Sequence, residues 1–206
     1  MRITLFLLIL LALSSCGPTY QYLTVDSSQL PKDQQKLFTM ENDTMQLTYE
    51  FSGHGGQLTI TVLNKTTQPL SVNWARSALI NNGRSFNLHG RDLQFIPPQT
   101  SISKVTLNLN ESGGGIPRLP IPDTARTRKL YYKDGSYVKY KAADFTEEGS
   151  PIQLKSYLTF LIGPGNGTEF TESHTFYIGE VIHTGIVPGL FGAYHEPGDK
   201  FYVWWQ

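Results

Sequence analysis

Short segments in which apolar and polar residues alternate recur along most of this chain. The alternation is clearest at Leu47, Tyr49 and Phe51, and it returns over residues 58–62 and 70–74. A period of two places every second side chain on one face of a β-strand, whereas an amphipathic helix repeats about every 3.6 residues. No long segment of the sequence has the helical period. The pattern therefore predicts an all-β protein.

Glycine-containing turns separate the predicted strands. The glycines of Gly53-His54-Gly55-Gly56 tolerate positive φ values, so we expect a turn in which His54 binds no ligand. Asn82-Gly83 and Asp134-Gly135 are residue pairs typical of two-residue hairpin turns. Each of these sites is therefore expected to join two antiparallel strands.

The number and spacing of the strands indicate the architecture. About ten short strands joined by such turns are typical of an antiparallel β-sandwich, and we expect an immunoglobulin-like one. In the last long strand Phe176, Ile178 and Ile182 are expected to share one face. Aromatic residues make up 12% of the chain, which is enough bulk for one sizeable core.

The chain divides into three predicted parts. Residues 1–15 are predicted to be a signal peptide, and residues 16–40 a lipidated N-terminus and tether with at most one edge strand. Residues 41–206 are predicted to form a single β-sandwich domain, with a hairpin insertion around residues 112–150.

The first twenty residues indicate the location of the protein. Arg2 precedes an apolar run from Ile3 to Leu13, which suits a signal peptide but is too short to span a membrane. The following Leu-Ser-Ser-Cys sequence, ending at Cys16, is similar to the bacterial lipobox. This similarity implies a lipoprotein in which Cys16 carries palmitate and other acyl chains and anchors the protein to a membrane. The alternative is an ordinary signal peptide with an incidental cysteine.

The residues after the cysteine bear on which membrane holds the protein. Gly17 stands where an aspartate often retains lipoproteins at the inner membrane of enteric bacteria, so we expect the outer membrane. No acidic cluster follows Cys16, and such clusters resemble surface-export signals. We therefore favour a position facing the periplasm and leave surface display open.

An ordered series of short motifs resembles a group of uncharacterised Gram-negative bacterial lipoproteins. The resemblance covers most of residues 13–110 and does not include residues 112–150. Its motifs mark turns and strand ends, so it implies a family and supplies no activity or catalytic residues. The motifs are Tyr20-Gln21-Tyr22, Glu41-Asn42-Asp43, Tyr49-Glu50-Phe51, Gly55-Gly56, Asn64-Lys65-Thr66, Pro69, Ile96-Pro97-Pro98 and Phe176-Tyr177-Ile178.

Charge and motif content argue against several classes of function. The 17 basic and 17 acidic side chains give zero net charge, which argues against a nucleic-acid-binding protein. The sequence has no zinc-binding histidine motif, no glycine-flanked nucleophilic serine and no phosphate-binding loop. His195-Glu196 with Asp199 is the densest group of potential ligands, and we interpret it as a polar loop. We expect no enzyme, no metal and no cofactor.

One segment departs from the neutral balance. Between residues 118 and 141, seven basic residues face only Asp123 and Asp134, giving a local charge of +5 (7 − 2). A two-residue turn at Asp134-Gly135 would pair Tyr132 with Tyr137, and Tyr131 with Val138. We hypothesise that one hairpin face packs on the sandwich while the other binds an anionic partner. The candidate residues are Lys129, Tyr131, Tyr132, Lys133, Tyr137, Lys139 and Tyr140. The alternative is a scaffold whose lysines point outward and are neutralised by Asp144, Glu147 and Glu148.

Two adjacent tryptophans, Trp204 and Trp205, form a second candidate site. In a strand their rings face opposite sides, and a ring on the surface could stack on a sugar. The alternative is that one ring fills the core and a loop covers the other.

These observations favour two functions. The first is a non-catalytic, lipid-anchored cell-envelope protein whose β-sandwich binds or scaffolds an envelope component, such as an anionic molecule, a glycan or a protein. The second is an accessory carbohydrate-binding lipoprotein of a glycan degradation or uptake system.

Overall fold

A computed structural model of the protein describes residues 19–88, 93–110, 115–123, 125–163 and 167–205. Within these ranges the regular structure consists of strands and two short 3-10 turns, Pro188–Leu190 and Gly192–Tyr194. The strands are β1 (Thr19–Asp26), β2 (Phe38–Glu41), β3 (Met45–Ser52), β4 (Gln57–Asn64), β5 (Leu70–Asn81), β6 (Arg84–Asn87), β7 (Leu93–Ile96), β8 (Ser101–Asn108), β9 (Arg126–Tyr131), β10 (Tyr137–Asp144), β11 (Gln153–Ile162), β12 (Thr168–Thr184) and β13 (Lys200–Trp205).

The strands form two antiparallel sheets that pack face to face. The smaller sheet has the order β2-β3-β4-β8. The larger sheet runs β13-β1-β12-β11-β5, with β6 and β7 on the free side of β5 and the β9–β10 hairpin attached to β12. The predicted all-β antiparallel sandwich is confirmed. The narrower immunoglobulin-like arrangement stays a prediction.

The space between the sheets is filled by the residues that alternate in the sequence. In β3, Leu47, Tyr49 and Phe51 are completely buried, while their neighbours along the strand are only partly buried. The same holds for every second residue of β4. Opposite them lie aromatic side chains of the larger sheet, among them Phe160 and Phe176. The period of two therefore identifies the faces of both strands correctly.

β1 lies inside the larger sheet, whereas the sequence predicts at most an edge strand within a tether. It pairs with β13 on one side and with β12 on the other. Tyr22 and Leu23, which point to opposite faces, are both buried. A strand covered on both faces has apolar residues at consecutive positions, so the alternation that marks β3 is missing here. Residues 1–15 and Cys16 lie outside the described residues.

β12 contains one extra residue at Gly179. Across the pair with β1, Glu180 is opposite Thr24 and Ile178 is opposite Val25, which leaves Gly179 without a partner. Such a bulge reverses the faces that follow it. Ile178 accordingly packs between the sheets, whereas Ile182 packs on the other face. The prediction that Phe176, Ile178 and Ile182 share a face is therefore wrong for Ile182.

A second apolar cluster, here called the tyrosine cluster, covers the outer face of the larger sheet. The segment 185–199 folds back over β1 and β12 and contributes Phe191 and Tyr194 to it. The Tyr22 hydroxyl donates a hydrogen bond of 2.7 Å to the Ile186 carbonyl. The buried members are Tyr22, Leu130, Ala142, Ile182, Phe191 and Tyr194.

The turn between β5 and β6 is the two-residue turn predicted at Asn82-Gly83. Asn81 pairs with Arg84, so Asn82 and Gly83 form a two-residue loop with φ values of 46° and 78°. We expect Gly83→Val to lower the free energy of unfolding by about 1 kcal/mol or more, because a β-branched residue resists positive φ. A Cβ at this position would meet no atom within 4 Å, so the loss would come from the backbone. Urea denaturation measures it.

The matched control is Gly83→Asn, since asparagine tolerates positive φ better than valine. Equal losses in the two variants would contradict the backbone explanation.

Candidate binding surface

The β9–β10 hairpin turns through three residues. Tyr131 pairs with Tyr137, and the Tyr132 amide donates to the Ser136 carbonyl at 2.8 Å. Gly135 has a φ of 83°, as expected for the left-handed position of a three-residue loop. The predicted two-residue turn is therefore wrong, and so are the pairings of Tyr132 with Tyr137 and of Tyr131 with Val138.

One face of the hairpin packs against the tyrosine cluster. Leu130 and Ala142 are buried there, with Val138 and Tyr140 packed beside them. The ring of Tyr132 stacks on that of Phe191, with ring centroids 5.1 Å apart. Tyr132 and Tyr140 are therefore separated from the exposed tyrosines with which the sequence analysis grouped them.

The opposite face is exposed and combines lysines with tyrosines. Tyr131 is 55% exposed and Tyr137 46% exposed, and their ring centroids are 5.8 Å apart. Lys129 lies opposite Lys139, and its Nζ is 4.2 Å from the centre of the Tyr137 ring. This arrangement is a cation–π contact. We call this surface the basic face, formed by Lys129, Tyr131, Tyr137, Lys139 and Lys141.

The acidic residues of the hairpin leave the basic face positive. Arg128, which points to the other side, makes two contacts of 3.1 Å with Asp144. Its Nε is also 3.6 Å from Glu180. Asp134 accepts hydrogen bonds from the Ser136 hydroxyl and amide, which lower the pKa of its carboxyl group. Asp144 is thus engaged by Arg128 and is not a counterion of the lysines.

A groove of about 480 Å³ lies beside the hairpin tip. Tyr132 and Lys133 line it on the hairpin side, and Gly189 and Leu190 line it on the side of the first 3-10 turn. The Lys133 amide donates a hydrogen bond of 3.1 Å to the Leu190 carbonyl. This bond fixes the position of the tip relative to the 3-10 turn.

Trp204 lies on the outer face of β13, opposite Tyr20 of β1. Its side chain is 42% exposed, so the alternative of a ring covered by a loop does not apply to it. The His54 ring lies 6.2 Å from the Trp204 ring and 5.6 Å from the Tyr202 ring. The Trp205 side chain lies outside the described part of the structure.

His54 lies in a turn, as predicted, but its contacts with Tyr202 and Trp204 were not predicted. The β3–β4 turn meets β13 through a bridge between His54 and Tyr202. These residues are far apart in the chain, and no local periodicity links them. Asp199, part of the loop noted for potential ligands, accepts a hydrogen bond of 2.7 Å from Lys32. It belongs to an ion pair.

A hydrogen-bonded trio of Tyr49, Ser156 and His174 lies between the two sheets. The Tyr49 hydroxyl is 2.8 Å from the Ser156 hydroxyl and 3.0 Å from Nδ1 of His174. All three residues are buried, so the trio links the sheets and does not line a cleft. Burial lowers the pKa of His174, because desolvation disfavours the charged imidazole.

The trio makes stability depend on pH. As pH falls below about 6.5, the unfolded chain takes up a proton at His174 before the folded chain does. We therefore expect the free energy of unfolding to be greatest above this pH and to decline as pH falls below about 6.5. Urea titrations at several pH values measure the slope.

His174→Gln should flatten this decline, although it lowers stability at neutral pH by disturbing the trio. His183, whose pKa is also lowered by burial, keeps part of the slope in that variant. An unchanged slope in His174→Gln would contradict the assignment to His174.

Comparisons with known proteins leave the site to be interpreted from its own geometry. No family model, no curated protein and no solved structure matches this chain. In the described ranges, no group of three histidine, cysteine, aspartate or glutamate side chains is placed to hold a metal ion. Among the same residues, no helix has the length and apolar character needed to cross a membrane.

Proposed function

We propose that this chain is a non-catalytic, lipid-anchored protein of the bacterial cell envelope that binds an anionic envelope component through its basic face. Acyl chains on Cys16 hold it to the outer membrane, and the sandwich domain faces the periplasm. The protein belongs, in this proposal, to the group of Gram-negative lipoproteins that its motifs resemble.

The observation that carries the binding proposal is the contrast between the two faces of the hairpin. Leu130 and Ala142 bury one face in the tyrosine cluster, whereas Tyr131 and Tyr137 are left exposed among lysines on the other. Exposed aromatic rings are enriched at binding surfaces, because they supply contact area with few rotatable bonds. Neighbouring lysines would attract an anionic partner.

The anchor proposal is supported by the sequence before β1. The lipobox-like residues end at Cys16, and β1 begins at Thr19. A chain extends at most about 3.6 Å per residue, so the acylated cysteine would hold the domain close to the membrane.

Cys16→Ser should release the protein from membranes into the soluble fraction. The change removes the acylated group, and the acyl chains are the proposed means of attachment. Fractionation of cells followed by intact-mass measurement of the membrane form tests this. A variant that stays in the membrane pellet, or a wild-type mass without acyl chains, would contradict the anchor.

In the mature chain that carries Cys16→Ser and so lacks the anchor, Lys129→Glu/Lys139→Glu should abolish binding to envelope fractions. The two lysines are paired across the hairpin, so the double change reverses the charge at the centre of the basic face. Binding of the chain with Cys16→Ser alone should weaken as salt is raised, because surface charges are screened over about 8–10 Å near physiological salt.

The control is Lys36→Glu/Lys155→Glu, which makes the same change of charge at two exposed lysines outside the hairpin. Equal loss in the two double variants would indicate an effect of net charge and would contradict a site on the basic face.

Carbohydrate binding at Trp204 is the second candidate function. It is favoured by the exposed ring and by the imidazole of His54 beside it. Trp204→Ala should then abolish binding on a glycan array, whereas Trp204→Phe should retain part of it because an aromatic face remains. No glycan binding by the wild type would exclude this candidate.

A further inference from the structure

We infer that the tip of the β9–β10 hairpin rests on the surface of the bilayer that holds the acylated Cys16. The juxtaposition that carries this inference is the position of the tip at the same end of the larger sheet as the start of β1. The inference rests on the proposed function, since it takes the lipid anchor as given. It identifies the anionic component as the lipid surface itself.

The strand register places both features at one end of the sheet. Ala142 of β10 pairs with Ile182 of β12, which pairs with Tyr22 of β1. β1 and β10 are both antiparallel to β12, so they are parallel to each other in direction. Tyr22 and Ala142 therefore lie level with each other across Ile182. Starting from these two residues, the beginning of β1 at Thr19 and the beginning of β10 at Tyr137 lie in the same direction along the sheet.

The distance from Ala142 to the hairpin tip is also similar to the distance that the chain can span from Tyr22 to Cys16. Tyr137 is five residues from Ala142, or about 16 Å at the rise of a strand, and the turn extends beyond it. Cys16 is six residues from Tyr22, or at most about 21 Å. A membrane that holds the acyl chains of Cys16 would thus lie at the level of the hairpin tip.

The chemistry of the tip fits a lipid surface. Tyr131 and Tyr137 carry amphipathic rings of the kind enriched at membrane interfaces, and Lys129, Lys133 and Lys139 can meet anionic headgroups. Leu190, held against Lys133 by a backbone hydrogen bond, is 48% exposed.

An acidic glycan would account for the lysines but would leave Leu190 and the nearby exposed Val187 unexplained. Apolar side chains beside basic ones are the combination that an anionic bilayer surface stabilises. Trp204, another residue typical of interfaces, lies at the same end, since it pairs with Tyr20.

The test uses the acylated full-length mature protein in vesicles of phosphatidylethanolamine and phosphatidylglycerol, or of phosphatidylcholine alone. Cys16 is the only cysteine of the chain, and acylation blocks its thiol. A cysteine introduced as Lys133→Cys can therefore be labelled selectively with an environment-sensitive fluorophore. The matched control is Thr168→Cys, because Thr168 is exposed and begins β12, whose other end pairs with β1.

The label at position 133 should shift to shorter wavelengths in the phosphatidylglycerol vesicles, less so in phosphatidylcholine, and the label at position 168 should not shift. A second measurement uses the mature chain with Cys16→Ser, whose weak binding to the anionic vesicles should fall about fivefold for each lysine removed from the tip. Tyr131→Ser/Tyr137→Ser should also weaken this binding, whereas Tyr157→Ser, at an exposed tyrosine of β11, should not.

A label at position 133 that reports water in both vesicle types would overturn the inference. If Lys129→Glu/Lys139→Glu still abolished envelope binding, the proposed function would stand with a protein or glycan as the anionic partner. If the mature protein carried no acyl chains, both the anchor and the inference would fail together.

Discussion

The bulge at Gly179 determines which residues of β12 enter each of the two apolar clusters. Before Gly179 the apolar residues of this strand face the smaller sheet, and after it Ile182 faces the opposite side. A Cβ at Gly179 would lie 3.2 Å from the Cβ of Asp26, so glycine is the residue that allows β1 to approach so closely. The reversal means that one sheet supplies apolar residues to two cores.

The second core determines what the hairpin can present to a partner. Segment 185–199 and one face of the hairpin cover Tyr22 and Ile182, which would otherwise be exposed apolar surface. The hairpin covers them with Leu130, Ala142 and the partly buried Tyr132, Val138 and Tyr140. The side chains that alternate with these, among them Lys129, Tyr131, Tyr137 and Lys139, are left to face solvent. The basic face is thus a consequence of packing, and its lysines remain hydrated.

Local patterns predicted much of the fold because they depend on neighbouring residues. The faces of β3 and β4 follow from alternation, and the loop at Asn82-Gly83 follows from its two positive φ values. Long-range features were missed. The interior position of β1 depends on strands more than 150 residues away along the chain. The bulge at Gly179 was also missed, although an isolated glycine within a strand is a signal for one.

The candidate surface was predicted only in part, because the local sequence does not determine the length of the hairpin loop. Asp134-Gly135 is equally compatible with two-residue and three-residue loops, because both accept a glycine with positive φ. The extra loop residue shifts the register by one. This shift moves Tyr132 to the packed side and pairs Tyr131 with Tyr137, while Lys129 and Lys139 stay exposed as expected.

The position of β1 also has a consequence for the order of folding. Both of its neighbours, β12 and β13, come from the C-terminal part of the chain. During synthesis Tyr22 and Leu23 cannot reach their buried sites until those strands have been made, so the larger sheet closes late and through contacts of high sequence separation. Such contacts fold slowly. The larger sheet therefore cannot be completed before β13, the last strand, has been synthesised.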